Sequence, residues 1–94
     1  MYTVRRSKQF EQSFKKLQYS GTKNSIKKEI ATVIDILIAG KLFPEKYKDH
    51  KLIGEFKDYR ECHARPDLLL IYQILDDELV LVLINIGSHS ELYN

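Results

Sequence analysis

Three histidines and one aspartate are the residues of this 94-residue chain that best suit proton-transfer chemistry. His50, His63 and His89 are its only histidines, and each lies at the edge of a strongly apolar stretch. Imidazole is the side chain that most readily takes or gives a proton near neutral pH. With Asp67 nearby, the three predict acid–base chemistry on an anionic substrate.

The predicted strand order brings these residues toward one place. His63 and Asp67 flank a turn that contains Pro66, and His89 follows the last strand. The last two strands are predicted to form an antiparallel hairpin, so Asp67 should lie beside the end of the final strand. We therefore expect His63, Asp67 and His89 at one edge of the sheet, with His50 within reach.

Such a cluster can cleave RNA without a metal ion. One group removes the proton of a 2′-hydroxyl, another protonates the leaving 5′-oxygen, and cations stabilise the phosphorane. Asp67 would orient a histidine or tune its basicity. Lys51, Arg60 and Arg65 are candidates to hold phosphate. Tyr93 is a candidate to stack on an unpaired base.

Each candidate also has a purely structural explanation. Asp67 suits turn chemistry after a proline, Tyr93 can close the core, and Cys62 can be a small buried filler. A zinc site is an alternative, but no pair of its ligands shows a recognised spacing such as C-x-x-C. Its ligands would come from His50, His63, His89 and either Cys62 or Asp67. We expect no metal and no cofactor, since phosphate-loop and dinucleotide fingerprints are also absent from the sequence.

Length and composition predict one globular domain over residues 1–94. The chain is 44% hydrophobic and 30% charged, which is ordinary for a soluble protein. No apolar run approaches the roughly 20 residues that span a bilayer, and no apolar signal region follows the N-terminal charges. A single cysteine cannot form an internal disulfide. These features predict a cytoplasmic protein without a membrane partner.

The net charge of +2 hides a division of the chain. Residues 1–51 hold 12 Lys/Arg against five Asp/Glu, a charge of +7, whereas residues 52–94 carry −5. A basic half is typical of proteins that bind a polyanion. Solvated helix faces would account for the same charges.

The first half of the chain predicts a strand and two helices. Residues 2–5 alternate like a short strand. Ser7 is a plausible N-cap for an amphipathic helix that Gly21 would end. Asn24 or Ser25 would begin a second helix, whose apolar residues recur at helical spacing until Gly40.

The second half predicts three consecutive strands after an irregular stretch at 41–53. The first runs over residues 56–64, with Glu61 and His63 on one face and Arg60 and Cys62 on the other. Apolar runs at 68–75 and 79–86 form a hairpin around an acidic turn. The last six residues suit one helical turn. The predicted fold is α+β, in the order β-α-α-β-β-β, with two helices on a mostly antiparallel four-stranded sheet.

Four segments closely resemble the YafQ branch of the RelE-type toxins, and the similarity extends over essentially the whole chain. They are Asp49–Glu55 (DHKLIGE), Tyr59–His63 (YRECH), Pro66–Tyr72 (PDLLLIY) and Gly87–Leu92 (GSHSEL). The resemblance implies the RelE-like fold. It also implies a type II toxin: an endoribonuclease that cleaves mRNA in the A site of the 70S ribosome and is inhibited by a cognate antitoxin. Operator DNA would be contacted only through the antitoxin complex.

The resemblance also implies which residues act. His50, His63, Asp67 and His89 match the active cluster of the family. We expect His89 to be the general acid and His50 the general base, tuned by Asp67. His63 would stabilise the transition state or share proton transfer.

Two positions depart from the family pattern. Tyr93 stands where the family usually has Phe, and it keeps an aromatic face for stacking. Leu68 stands where many relatives have Trp, which bears on codon preference or rate.

Two other functions are compatible with the same fold. Some toxins of this fold inhibit DNA gyrase without cutting a nucleic acid, and they need no acid–base cluster. An inactive relative could serve only as an antitoxin-binding co-repressor.

Overall fold

Two long helices lie against one face of a mixed five-stranded sheet, and a short third helix follows the last strand. The computed structural model describes residues 1–19 and 24–93. The elements are β1 (Thr3–Arg6), α1 (Lys8–Tyr19), α2 (Asn24–Ala39), β2 (His50–Lys51), β3 (Arg60–Arg65), β4 (Leu68–Leu75), β5 (Val80–Gly87) and α3 (His89–Tyr93). Single 3-10 turns form at Glu45–Tyr47, Gly54–Phe56 and Asp76–Glu78. The predicted α+β class and the C-terminal helical turn are confirmed.

The sheet has the strand order β1-β5-β4-β3-β2. β1 runs parallel to β5, and the other neighbours are antiparallel. The four predicted strands are present, and β2 is a fifth strand within the stretch predicted as irregular. Two residues are too few to show the alternation from which a strand is predicted. β3 begins at Arg60, later than the predicted 56, because residues 54–56 form a 3-10 turn.

The helices begin and end largely where the sequence predicts. The Phe10 backbone N–H donates to Ser7 Oγ at 2.9 Å, which confirms the N-cap. Gly40 adopts φ +69° directly after α2, and its N–H donates to the Leu37 carbonyl. Gly21, the predicted end of α1, lies outside the described residues.

The two faces of the sheet have different roles. On β4, Leu70 and Tyr72 belong to the core beneath α1 and α2, whereas Leu69 and Ile71 are buried on the other face. The β3–β4 register places His63 opposite Leu69 and Glu61 opposite Ile71. Residues directly opposite in paired strands share a face. Glu61 and His63 therefore lie on the face away from the long helices.

Within the described ranges, no helix is both long enough and apolar enough to cross a bilayer.

Candidate active site

A buried carboxylate is at the centre of the candidate site. Glu61 on β3 is 5% exposed and is the only charged residue among the buried ones that the structure describes. Its Oε1 lies 3.2 Å from His63 Nε2 and 3.5 Å from His50 Nε2. Strand alternation carries His63 to the same face, and the β2–β3 register puts His50 directly opposite Glu61. Two imidazoles therefore converge on one carboxylate.

The second nitrogen of each imidazole also faces an acceptor. His50 Nδ1 lies 2.6 Å from the Lys48 carbonyl, and His63 Nδ1 lies 3.3 Å from the Pro66 carbonyl. A carbonyl oxygen only accepts, so each Nδ1 carries a hydrogen. A proton between Glu61 Oε1 and the Nε2 atom of either histidine then lies between two atoms that can accept it. We call His50, Glu61, His63 and Tyr93 the Glu61 cluster.

Tyr93 connects the Glu61 cluster to α3. Its hydroxyl donates a short hydrogen bond to Glu61 Oε2. Its ring contacts Phe56 edge-on, with centroids 5.7 Å apart, and lies 5.1 Å from the His89 ring. Burial, and then the Glu61 carboxylate, raise the pKa of Tyr93, so the phenol stays protonated and donates at neutral pH.

A capping box holds α3 at the end of β5. The Ser88 N–H donates to Glu91 Oε1 at 2.7 Å, and the Glu91 N–H donates to Ser88 Oγ at 3.2 Å. The Asp67 carboxylate accepts from the His89 backbone N–H at 3.0 Å. Asp67 thus orients the backbone that carries His89, whereas the sequence had suggested an effect on His50. The His89 side chain is exposed.

A cavity of about 460 Å³ opens beside His63. Lys46 and Lys48 line it, and both are exposed. Arg65 also lines it, but its Nε lies 2.8 Å from Glu29 Oε2 of α2. Among the described residues that line this cavity, the positive charge outside the Arg65–Glu29 ion pair comes from the two lysines, and Lys46 Nζ lies 5.0 Å from the centroid of the Tyr47 ring.

Arg60 and Lys51, two of the candidates to hold phosphate, lie away from the histidines. The two residues oppose each other in the β2–β3 register, so they share the helix-facing side. Arg60 donates to Asp49 Oδ2 at 2.7 Å and to the Tyr72 hydroxyl at 3.3 Å. Its guanidinium is committed there, away from the Glu61 cluster.

The sequence did not single out Glu61, Lys46 or Lys48, which the structure places beside His63. The alternation of β3 places Glu61 on the same face as His63. A carboxylate on a strand with mostly apolar neighbours is unusual, and this was the feature of the sequence that could have identified Glu61. The two lysines follow a proline in a stretch without periodicity, so nothing in the sequence placed them near His63.

The donor set of the Glu61 cluster also suits a metal ion. One ligand atom each from His50, Glu61 and His63 lies within 4.8 Å of the others. Two imidazole nitrogens and a carboxylate oxygen are ligands that zinc and copper accept.

Comparison with known proteins identifies related sequences. The family described as the bacterial toxin YafQ of type II toxin–antitoxin systems matches residues 2–94. A Haemophilus influenzae protein named as a YafQ toxin is 41% identical over 90 residues, covering 92% of this chain and 88% of that protein. The Escherichia coli K12 protein named mRNA interferase toxin YafQ is 42% identical over 50 residues, about half of each chain.

Solved structures show the same fold. A metal-bound toxin from Helicobacter pylori is 43% identical with a TM-score of 0.87, covering 99% of this chain and 100% of that one. The toxin in the E. coli DinJ–YafQ complex is 29% identical with a TM-score of 0.86, covering all of both chains.

Proposed function

Because the chain belongs to the YafQ family of type II toxins, we propose that it is a ribosome-dependent endoribonuclease that cleaves mRNA in the A site. The observation that carries this proposal is the buried Glu61 carboxylate between two imidazoles, joined through Tyr93 to the exposed His89. An E. coli relative bears the name mRNA interferase.

The proposed reaction is an internal transesterification of RNA. The base takes the proton of a 2′-hydroxyl, and the resulting oxygen attacks the adjacent phosphorus. The bond from phosphorus to the 5′-oxygen breaks, and the acid gives that oxygen a proton. The products are a 2′,3′-cyclic phosphate and a free 5′-hydroxyl.

Glu61 replaces His50 as the proposed base. The Nδ1 of His50 already donates to a carbonyl, and its Nε2 faces a carboxylate. The protonated ring satisfies both contacts, so His50 and His63 suit the stabilisation of negative charge on the phosphorane. As a carboxylate, Glu61 is the acceptor-only group among them.

His89 is the proposed acid. Its ring is exposed and packs against Tyr93, so a leaving oxygen can reach it. Asp67 fixes the start of α3 and thereby the direction of the His89 side chain. Tyr93 has two proposed roles: its hydroxyl holds Glu61, and its ring offers a stacking surface for a base.

The RNA and the ribosome are proposed to contact different surfaces. Lys46 and Lys48 beside His63 would hold phosphates that flank the cleaved bond. Exposed lysines of α1 and α2 would contact ribosomal RNA through salt-sensitive phosphate contacts. They include Lys8, Lys15, Lys27 and Lys28.

A cognate antitoxin is the proposed protein partner. A solved E. coli relative forms a complex with DinJ. Operator DNA would be bound only through such a complex, and the cytoplasm is the proposed compartment.

Metal binding is a second proposed property of the same site. A solved H. pylori relative is a metal-bound toxin, and His50, Glu61 and His63 would hold the ion here. A bound divalent ion would supply positive charge but would also occupy the lone pairs of the base. We therefore propose that such an ion inhibits cleavage, and that the reaction itself runs without one.

The acid assignment is tested by replacing His89 with Ala, with Ser90→Ala as the matched control one residue along α3. Cleavage of mRNA on programmed ribosomes is measured under single-turnover conditions. We expect the His89→Ala rate to fall by about 10²- to 10⁴-fold, and Ser90→Ala to cut at the wild-type rate. Equal rates for all three proteins would remove His89 from the mechanism. A folded wild-type protein that cuts nothing would favour a gyrase inhibitor or an inactive co-repressor.

A further inference from the structure

A second polar cluster lies directly behind the candidate site, on the helix-facing side of the sheet. We call Asp49, Arg60 and Tyr72 the polar triad. The Tyr72 hydroxyl donates a short hydrogen bond to Asp49 Oδ1, and Arg60 Nη2 donates to Asp49 Oδ2 at 2.7 Å. Arg60 Nε also donates to the Tyr72 hydroxyl at 3.3 Å. Each member therefore contacts the other two.

The proposed reaction uses none of these three groups, although each is held by hydrogen bonds to the other two. Tyr72 is 1% exposed, so its hydroxyl would be costly to bury without a partner. The Asp49 side chain is 18% exposed. Burial and the Asp49 carboxylate raise the pKa of Tyr72, and the same carboxylate raises the pKa of Arg60. The phenol and the guanidinium thus remain donors at neutral pH.

The triad members are chain neighbours of residues in the Glu61 cluster. Asp49 precedes His50, and Arg60 precedes Glu61. Side chains alternate across a strand, so fixing Asp49 and Arg60 on one face fixes the next residues on the other. β3 thus carries Arg60 and Glu61 to opposite faces of the sheet, and Asp49 lies directly before His50 of β2.

β2 is short, so a side-chain restraint adds to the few backbone bonds that hold it, which include Leu52 N–H to the Tyr59 carbonyl and Lys48 N–H to the Glu45 carbonyl. It is an edge strand of two residues, paired with β3 through His50–Glu61 and Lys51–Arg60. Lys48, just before it, adopts φ +48°, an unfavourable conformation for a side-chain-bearing residue. That conformation accompanies the contact of the Lys48 carbonyl with His50 Nδ1. A strained residue persists only where its surroundings determine its geometry.

We infer that Asp49, Arg60 and Tyr72 are positioning residues that hold His50 against Glu61. This inference rests on the proposed function of the Glu61 cluster. The triad does not touch the substrate. It fixes the position and the orientation of the His50 imidazole beside Glu61.

The test compares Tyr72→Phe with Tyr2→Phe in the full-length protein. Both changes remove one tyrosine hydroxyl bonded to an aspartate, since the Tyr2 hydroxyl donates to Asp76 Oδ1 at 2.7 Å. The Tyr2–Asp76 bond joins other parts of the chain. Single-turnover cleavage on programmed ribosomes gives the maximal rate and the half-saturating concentration, and thermal unfolding gives stability. Asp49→Asn, which keeps the side-chain volume, is the second variant.

We expect Tyr72→Phe to lower the maximal rate by about 10- to 100-fold, with half-saturation changed less than about twofold. Tyr2→Phe should cut at the wild-type rate, even if its unfolding temperature falls as much as that of Tyr72→Phe. Asp49→Asn should behave like Tyr72→Phe. Wild-type rates in the folded Tyr72→Phe and Asp49→Asn proteins would overturn the inference. So would equal losses in Tyr72→Phe and Tyr2→Phe.

A readout without RNA separates this inference from the proposed function. The imidazole ¹⁵N and ¹H resonances of His50 report its tautomer and its contact with the Lys48 carbonyl. We expect these His50 resonances to shift in Tyr72→Phe and to be unchanged in Tyr2→Phe, whether or not the wild-type protein cuts RNA. Unchanged His50 resonances in Tyr72→Phe would overturn the positioning role. A wild-type protein that does not cut would instead overturn the proposed function.

Discussion

Replacing Glu61 by Gln isolates the charge of the proposed base. Gln keeps the size of the side chain and an oxygen that can accept from the Tyr93 hydroxyl. It loses the carboxylate that lies 3.2 and 3.5 Å from the two imidazoles. General base catalysis typically contributes about 10²- to 10⁴-fold, which is about 3–5 kcal/mol in the activation barrier. We expect a rate loss of that size.

The same change should cost little stability. The Tyr93 bond to a carboxylate becomes a bond to a neutral amide, a difference of about 1 kcal/mol. For a domain of this size, that difference corresponds to a fall of about 4–8 °C in Tm. The variant should therefore remain folded at assay temperature, and the rate loss should reflect chemistry.

The assay is single-turnover cleavage on mRNA-programmed ribosomes, with thermal unfolding measured in parallel. Glu55→Gln is the matched control, because Glu55 is an exposed glutamate in the turn before β3 and its replacement changes the net charge equally. We expect the control to cut like the wild type. A folded Glu61→Gln protein that cuts within about threefold of the wild-type rate would refute the assignment of Glu61 as base.

Four other perturbations have defined outcomes. The Ser88 backbone N–H lowers the pKa of Glu91. The ionised Glu91 therefore stabilises the fold above the ordinary glutamate pKa, and this stabilisation is lost as the pH falls through the lowered value. Glu91→Ala should flatten the pH dependence of Tm in that acid range. Gly40→Ala places a β-carbon at φ +69° and should lower stability by about 1 kcal/mol, measured by urea unfolding. Burial raises the pKa of Cys62, which is 0% exposed, so a thiol reagent should label it only on unfolding, as a mass shift. Added Zn²⁺ should slow cleavage, and a Zn²⁺-selective chelator that leaves the Mg²⁺ of the ribosome in place should restore it, whereas loss of activity on adding that chelator to the untreated toxin would mean that the reaction needs a metal.

The overall fold could be predicted because its elements carry strong local patterns. The helix N-cap at Ser7, the stop at Gly40 and the two apolar strands of the hairpin are each specified by neighbouring residues. β2 could not be predicted, because a two-residue strand is defined by its partner β3 and has no pattern of its own.

The candidate site could be predicted only in part. Hairpin topology correctly brought Asp67 beside the start of α3, where it accepts from the His89 N–H. The central position of Glu61 depends on which side chains converge on it from β2 and α3, and local spacing does not contain that information. Strand alternation correctly placed Arg60 on the face of β3 opposite His63.

Cleavage by the purified protein, without any antitoxin, tests the central claim most directly. The protein is added to mRNA with and without 70S ribosomes, and the cuts are mapped by primer extension beside a His89→Ala control. We predict cuts at the A-site codon with 2′,3′-cyclic phosphate ends, absent from the control and weak without ribosomes. No cuts from the folded wild-type protein, or cuts that persist unchanged in His89→Ala, would contradict the account.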